Sequence, residues 1–274
     1  MAASVEGDFS KQPHWDAAVA DYEAHGEPFT RQYAEAALAL AGGVHLGERV
    51  IDVTAGTGAL ALLAARAGAD VLGADFSSGM VARLAERFRA EGHQACEARV
   101  MDGQALDVAD GRFDAAFSVF GVIMFPDWAR GLAELARITR PGGRVCVAVW
   151  AHLNGGGPSP LISDAFRAMF PEVSPPTPPG MVRLHDPAGL AEEMRSAVLA
   201  EVKVHRIDGV WDGGPVERLA ETVDRLQRLI PLYARLDEGD RARLSEAVSR
   251  LMAEYATPDG IRVPPTAYAG VGRR

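Results

Sequence analysis

Short apolar runs alternate along the first half of the chain with stretches of helical periodicity. The runs predict strands at Arg49–Val53, Val71–Asp75, Ala95–Val100, Phe113–Val119 and Arg144–Trp150. Helical patterns lie between them at Ala59–Ala65, Gly79–Ala90 and Trp128–Thr139. Strands that alternate with helices predict parallel pairing, and therefore a doubly wound, mostly parallel α/β fold.

Outside this alternation the pattern is mainly helical. Helices are predicted at Trp15–Glu23, at Thr30–Ala41 with Thr30 as N-cap, near Leu161–Phe170, at Pro187–Ala197, at Pro215–Leu236 and at Gly239–Tyr255. Strands at Glu201–Val210 and Thr266–Val271 return the chain to the sheet. We expect an N-terminal helical cover at 1–42 and a main domain at 43–274. Helical lid insertions interrupt that domain at about 152–185 and 211–260.

Composition limits the class of protein and of partner. The chain has 274 residues, of which 48% are hydrophobic, which suits one globular domain with a large core. A net charge of -9 argues against nucleic-acid or anionic-lipid partners, because both need a basic face. Cys96 and Cys146 lie in apolar runs and are expected to be buried thiols, and no metal-ligand spacing is present. The chain has no signal-like or membrane-spanning run, so we expect a soluble cytoplasmic protein.

Candidate chemistry lies where the predicted strands end. Asp52 is the last residue but one of the first strand, Asp75 ends the second, and Asp102 follows the third. Gly56 and Gly58 form a turn after Asp52, and the following helix presents free N–H groups. Because ligands of open α/β sheets bind at the carboxyl ends of the strands, these residues predict a ligand site at that edge.

The charge of this edge discriminates between two nucleotide-type cofactors. Gly56–Ala61 fits the G-x-G-x-x-G/A dinucleotide fingerprint, with Asp75 near the position that binds a ribose. A pyrophosphate would lie close to Asp52 and Asp102, however, and no Arg or Lys follows in the turn to offset them. Three carboxylates suit S-adenosylmethionine instead, because it has ribose hydroxyls, an ammonium and a sulfonium but no phosphate.

Several motifs resemble those of class I S-adenosylmethionine-dependent methyltransferases that act on small molecules. They are Val50–Gly58, Gly73–Met80, Asp102–Leu106, Phe113–Asp114, Phe120–Asp127 and Arg140–Arg144, in the order and spacing of that family, with Tyr268–Arg274 similar to its final strand. The resemblance implies a seven-stranded sheet whose last strand is antiparallel.

The resemblance also assigns roles at the cofactor site. It implies that Asp52 and the turn Thr54, Ala55, Gly56, Thr57 and Gly58 face the methionine moiety, and that Asp75 binds the ribose. Adenine would contact Phe76, Met80 and Asp102, while Ser118 or Phe120 would lie below the sulfonium. Ser77, Gly103 and Gln104 complete the predicted cofactor-binding set. The family usually has glycine at the position of Thr54, so we expect this β-branched residue to narrow the approach to the cofactor's carboxyl end.

The acceptor site is predicted less directly. Its expected lining is aromatic, and comprises Tyr22, Phe29, Phe120, Phe125 and Trp150. His152 and His25 are candidate general bases, with His185 as a third, although methyl transfer to a good nucleophile needs mainly in-line placement.

Four functions are compatible with these residues. The preferred prediction is transfer of a methyl group from S-adenosylmethionine to O, N or C of a small, rather apolar acceptor. The alternatives are a protein of the same fold that binds the cofactor structurally and catalyses another reaction such as a cyclisation, an NAD(P) oxidoreductase, and a non-catalytic regulator. We expect a small-molecule partner and consider a homodimer possible.

Overall fold

The computed structural model describes residues 12–173, 177–228 and 236–274. Parts of three predicted segments lie outside these ranges. They are residues 1–11 of the N-terminal cover, 174–176 of the proline-rich connector and 229–235 of the helix predicted at Pro215–Leu236.

Seven strands form the central sheet, in the order β3-β2-β1-β4-β5-β10-β6. Their bounds are β1 Arg49–Val53, β2 Asp70–Asp75, β3 Glu97–Val100, β4 Phe113–Val119, β5 Thr139–Trp150, β6 Ala200–Asp208 and β10 Thr266–Arg273. The first five pair in parallel, whereas β10 lies antiparallel between β5 and β6. The predicted seven-stranded sheet with an antiparallel last strand is therefore confirmed.

Strand β5 begins five residues earlier than the pattern predicts. Thr139 already pairs with Phe113, and the register shifts before Arg144 pairs with Ala115. Pro141, Gly142 and Gly143 therefore lie in an irregular part of the strand, where the register shift accommodates proline and glycine.

Helices cover both faces of the sheet. On one face α2 (Glu27–Leu40), α3 (Ala61–Arg66) and α4 (Ser78–Ala90) bury one apolar cluster. On the other face α5 (Trp128–Ile138), α7 (Pro179–Leu184) and α8 (Pro187–Ser196) bury a second cluster. Strand β1 contributes Val50 to the first cluster and Ile51 to the second, as expected for a strand buried on both sides.

The chain before β1 divides into two parts. Helix α1 (Gln12–Asp21) continues through a π-helical turn (Tyr22–Gly26) directly into α2. Thr30 is therefore inside a helix and does not cap it, because Gly26 and Glu27 already have helical dihedrals and Pro28 suits the first turn. Tyr33 of α2 is buried in the main core, so α2 belongs to the sheet layer. We call residues 12–30 the strap.

The late insertion contains a sheet that sequence patterns did not predict. Strands β7 (Trp211–Gly214), β8 (Ala256–Thr257) and β9 (Gly260–Val263) form it in the order β7-β9-β8. These strands have only two to four residues, too few for a readable alternation. With α6 (Ser159–Met169), α9 (Leu219–Arg228) and α10 (Glu238–Met252) they bury a separate apolar cluster, which we call the lid core.

Candidate active site

The turn after β1 is shaped by residues in the left-handed region. Gly56 has φ +54° and Gly58 φ +109°, which glycine adopts without strain. A Cβ on Gly58 would lie 2.6 Å from Leu84, so the missing side chain also lets α4 approach the turn. The turn then leads into α3, whose Ala61 N–H donates to the Asp52 carboxylate at 3.1 Å. Asp52 therefore fixes the start of α3 in addition to any contact with a ligand.

Asp52 and Asp75 are two buried carboxylates on neighbouring strands, with exposed fractions of 2% and 7%. Asp75 accepts hydrogen bonds from the backbone N–H groups of Gly56 and Ser77, both at 2.9 Å. Burial raises the pKa of Asp52 to about 7, and nearby Asp75 adds to the shift. Burial also raises the pKa of Asp75, against the lowering effect of its backbone hydrogen bonds. A cationic ligand at this edge would reverse both shifts, since it stabilises the carboxylate forms.

The third predicted carboxylate, Asp102, is exposed. It accepts from the backbone N–H of Gln104 at 2.8 Å and from the Gln104 side-chain amide at 3.0 Å. Gln104 in turn accepts from the N–H of Asp127 at 2.8 Å, which joins this loop to the start of α5. Gly103 packs against Phe125, whose ring occupies the space of a Cβ at that position. Asp102 and Gln104 thus lie, at the predicted ligand edge, on a loop that is held by these hydrogen bonds.

Thr54 keeps a backbone conformation suited to glycine. Its φ is +65°, and Phe120 at the end of β4 has φ +63°. The Thr54 hydroxyl lies 3.2 Å from the hydroxyl of the fully buried Ser118 and hydrogen-bonds the Val53 carbonyl. Its side chain fills the space above Gly121, where a Cβ would lie 1.5 Å from Thr54 Oγ1. The strain of two left-handed residues thus lies at adjacent strand ends of the proposed site.

The predicted adenine side is formed by the start of α4. Ser77 caps this helix by accepting from the Met80 N–H at 3.2 Å, and Met80 is buried, while Phe76 is half-buried. Asp16 of the strap accepts from the Ser77 hydroxyl at 2.6 Å and from the Gly79 N–H at 2.9 Å. The strap is therefore attached to the loop that follows Asp75.

Tyr22 of the strap lies against the glycine turn. A Cβ on Gly56 would lie 3.2 Å from Tyr22 Cε1, and the Tyr22 hydroxyl is 3.4 Å from that of Thr30. Burial raises the pKa of the Tyr22 phenol to about 12, with further contributions from the charges of Glu27, Asp75 and Asp52. The predicted acceptor residue Tyr22 thus lies beside both buried carboxylates.

A buried ion pair next to the turn was missed from the sequence. Glu27 has an exposed fraction of 1% and accepts from the Thr57 hydroxyl and from Arg87. Arg87 also donates to the Thr57 carbonyl at 2.9 Å, and Arg31 donates to Glu27 at 2.8 Å. Sixty positions separate Glu27 from Arg87 along the chain, so no local pattern signals their contact. Arg87 brings a positive charge to the turn, but Glu27 neutralises it.

Comparison with known proteins agrees with this geometry. A family described as a methyltransferase domain matches residues 50–143, from β1 into β5. A demethylmenaquinone methyltransferase of Corynebacterium kroppenstedtii is 43% identical over 101 residues, which cover 37% of this chain and 41% of that protein. The chain spans about two fifths to one half of the length of the curated relatives that it matches.

Solved structures show the same fold. Phosphoethanolamine N-methyltransferase 2 of Haemonchus contortus, in complex with S-adenosylhomocysteine, has a TM-score of 0.56 at 18% identity, covering 88% of this chain and 52% of that one. The [4+2]-cyclase SpnF has a TM-score of 0.52 at 19% identity, covering 89% and 81%. Residues 50–143 of this chain match the methyltransferase domain family, and the chain has the fold of class I S-adenosylmethionine-dependent methyltransferases. S-adenosylmethionine is the cofactor of these enzymes, and the buried carboxylates Asp52 and Asp75 suit its positive charge and its ribose hydroxyls.

Three of the five aromatic residues predicted for the acceptor pocket form a stack. Trp150 lies between Phe120, at a centroid distance of 3.6 Å, and Phe29, at 5.4 Å, and all three rings are nearly parallel. Tyr33, which sequence reasoning missed, packs edge-on against each of them. Phe125 is not part of the stack, because it packs against Gly103 and Gly131 in the sheet core.

The three candidate histidines are in different environments. His152 is exposed, and its Nδ1 accepts from the Asn154 N–H at 3.1 Å. The Nδ1 atom of His185 is 2.9 Å from the Val182 carbonyl at the end of α7. His25 lines a cavity together with Phe29 and Trp211.

Among the residues described, no helix is long and apolar enough to cross a membrane.

Proposed function

We propose that this chain transfers a methyl group from S-adenosylmethionine to O, N or C of a small, largely apolar acceptor. The observation that carries the proposal is the burial of Asp52 and Asp75 on either side of the Gly56 turn. Two buried carboxylates with raised pKa values favour a ligand that has hydroxyl donors and positive charge. They oppose a pyrophosphate, which is the argument against an NAD(P) oxidoreductase.

Each part of the site has a distinct task in this proposal. Asp75 accepts from the ribose hydroxyls, and the Thr54–Gly58 turn and Asp52 hold the methionine end. When bound, the cofactor supplies an electrophilic methyl group, which needs an in-line nucleophile and little else. The strap, through Tyr22, covers the turn and excludes water. His152 and His25 are proposed bases only for an acceptor that must lose a proton.

The acceptor of this chain does not follow from its relatives. Some matched proteins are named demethylmenaquinone methyltransferases, but the matching family covers only residues 50–143. The strap, the aromatic residues Phe29 and Trp150, and the lid core all lie outside that range. Acceptor specificity is therefore proposed to come from segments outside the matched range.

Product analysis tests the proposal. The purified chain is incubated with S-adenosylmethionine and a panel of hydroxylated aromatic compounds, and both products are quantified by mass spectrometry. We expect equal amounts of S-adenosylhomocysteine and of a product heavier by one methylene unit. An acceptor that is converted to a product of unchanged mass, without S-adenosylhomocysteine, would contradict methyl transfer and favour the cyclisation alternative.

A further inference from the structure

A cavity of about 240 Å³ lies between the strap, β7 and α9. Its lining includes His25 and Phe29 of the strap, Trp211 and Asp212 of β7, and Thr222 and Arg225 of α9. This volume is somewhat below the roughly 300–1,000 Å³ of pockets for drug-sized ligands, and suits a compound of one or two rings.

The wall residue Phe29 connects the cavity to the cofactor edge. Phe29 packs against both the sheet core and the lid core, and its ring stacks on Trp150. Trp150 stacks on Phe120, which ends β4 beside Thr54. The strap thus has Tyr22 at the glycine turn and His25 and Phe29 at the cavity. The stacked rings of Phe29, Trp150 and Phe120 thus stand between the cavity and Thr54.

The charged groups at the cavity favour an anion. Asp212 already accepts from the Gly214 N–H at 2.9 Å and lies 3.3 Å from Arg262. Glu221, by contrast, is shared by two guanidinium groups, those of Arg218 and Arg225. The trio of Arg218, Glu221 and Arg225 therefore carries a net positive charge, in a chain whose overall charge is -9. Arg225 is the member of the trio that lines the cavity.

We propose that this cavity is a second ligand site, separate from the site of methyl transfer, and that it binds a small planar aromatic acid. Its rings would pack against Phe29 and Trp211, and its anionic group would bind Arg225, whose planar guanidinium matches a carboxylate. The inference goes beyond the proposed methyl transfer, because the stacked rings of Phe29, Trp150 and Phe120 separate this ligand from the cofactor edge. Arg225 is the residue that selects an anionic ligand.

Calorimetry with 6-hydroxy-2-naphthoate tests the charge preference, with the neutral 6-hydroxy-2-naphthamide as the matched probe. We expect the carboxylate to bind on the order of tenfold more tightly than the amide, with or without S-adenosylhomocysteine. Arg225→Gln should remove this preference. Arg218→Gln is the control, because Arg218 contacts the same Glu221 but is not part of the cavity lining.

A second variant locates the binding site. Ala24 lines the cavity and is exposed, so Ala24→Phe should fill it and abolish binding, whereas Ala20→Phe on the exposed face of α1 should not. The inference would be overturned if the wild type bound both probes with equal affinity. It would also be overturned if Arg225→Gln and Arg218→Gln lost the preference for the carboxylate equally, or if Ala24→Phe bound the probe as the wild type does. Titration of S-adenosylmethionine into the same samples tests the proposed function separately, so the two failures are distinguishable.

Discussion

At the scale of single residues, Thr54 and Gly121 form a matched contact. A Thr in the left-handed region costs about 1–2 kcal/mol relative to its ordinary conformations. Its side chain is accommodated because Gly121 has no Cβ. The residue that departs from the family pattern thus depends on a glycine at the end of a neighbouring strand.

This contact predicts non-additive stability. Gly121→Ala should destabilise the protein by about 2 kcal/mol or more, because the new methyl overlaps Thr54 while the φ of -83° suits alanine. In a Thr54→Gly background the same change should cost less than about 1 kcal/mol. Urea unfolding of the four proteins measures the coupling, and an equal cost in both backgrounds would show that the two residues do not compete for space.

The raised pKa of Asp52 predicts that both the stability of the fold and cofactor binding are linked to protonation of this carboxylate. In the folded chain its pKa is about 7, above the ordinary value of 3.8, so this group favours folding at low pH. That contribution is lost as the pH rises from about 4 towards 7, because only the folded state still holds the proton. A cationic cofactor favours the carboxylate, so binding at pH 6.5 should release protons. Calorimetry in two buffers of different ionisation enthalpy measures this release, which Asp52→Asn should largely remove; an unchanged release would assign it elsewhere.

At the scale of elements, the strap is held by ion pairs of unequal burial. Glu23 and Arg83 meet at 2.7 Å on the surface, whereas Glu27 and Arg87 are largely buried. Burial raises the pKa of Glu27, but hydrogen bonds from Arg87, Thr57 and Arg31 outweigh it and hold the pKa below its ordinary value. Glu27 therefore stabilises the strap above its unfolded pKa, and this contribution is lost as the pH falls below about 4.5.

Glu27→Gln should therefore cost about 2–4 kcal/mol of stability, because it removes the buried partner of Arg87 and leaves that guanidinium only the more distant Glu23, at 4.0 Å. Glu23→Gln is the matched control and should cost less than about 1 kcal/mol, since its pair is partly exposed. Thermal and urea unfolding compare the two. Similar losses of stability in the two variants would contradict the expectation that the buried ion pair contributes more than the exposed one.

The elements also show what the sequence can and cannot predict. Apolar runs ending on Asp52 and Asp75 predict β1 and β2 almost to the residue, because a strand buried on both faces leaves a continuous apolar signal. The lid sheet has strands too short for such a signal. Contacts such as Glu27 with Arg87, or Trp150 between Phe29 and Phe120, join distant positions, so only the folded chain reveals them.

At the scale of the whole molecule, the sheet with its helices and the lid core contribute different parts of the proposed sites. The sheet and its helices present Asp52, Asp75 and the glycine turn, and this half matches the methyltransferase domain family. The strap and the lid core add the covering residues and the cavity, and they lie outside that match. Phe29 packs against both the sheet core and the lid core, so it is the structural link between the cofactor half and the half that holds the proposed second ligand site.

Calorimetric titration of cofactors into the wild-type chain and two variants tests the assignment of the cofactor edge most directly. Asp75→Asn removes the buried charge at the end of β2, and Asp70→Asn, at the exposed start of the same strand, is the control. S-adenosylmethionine and S-adenosylhomocysteine should bind the wild type and Asp70→Asn equally, and bind Asp75→Asn at least about tenfold more weakly, a loss of roughly 1–3 kcal/mol. NADH should not bind. NADH binding that weakens in Asp75→Asn, or S-adenosylmethionine binding that is the same in all three proteins, would contradict the account.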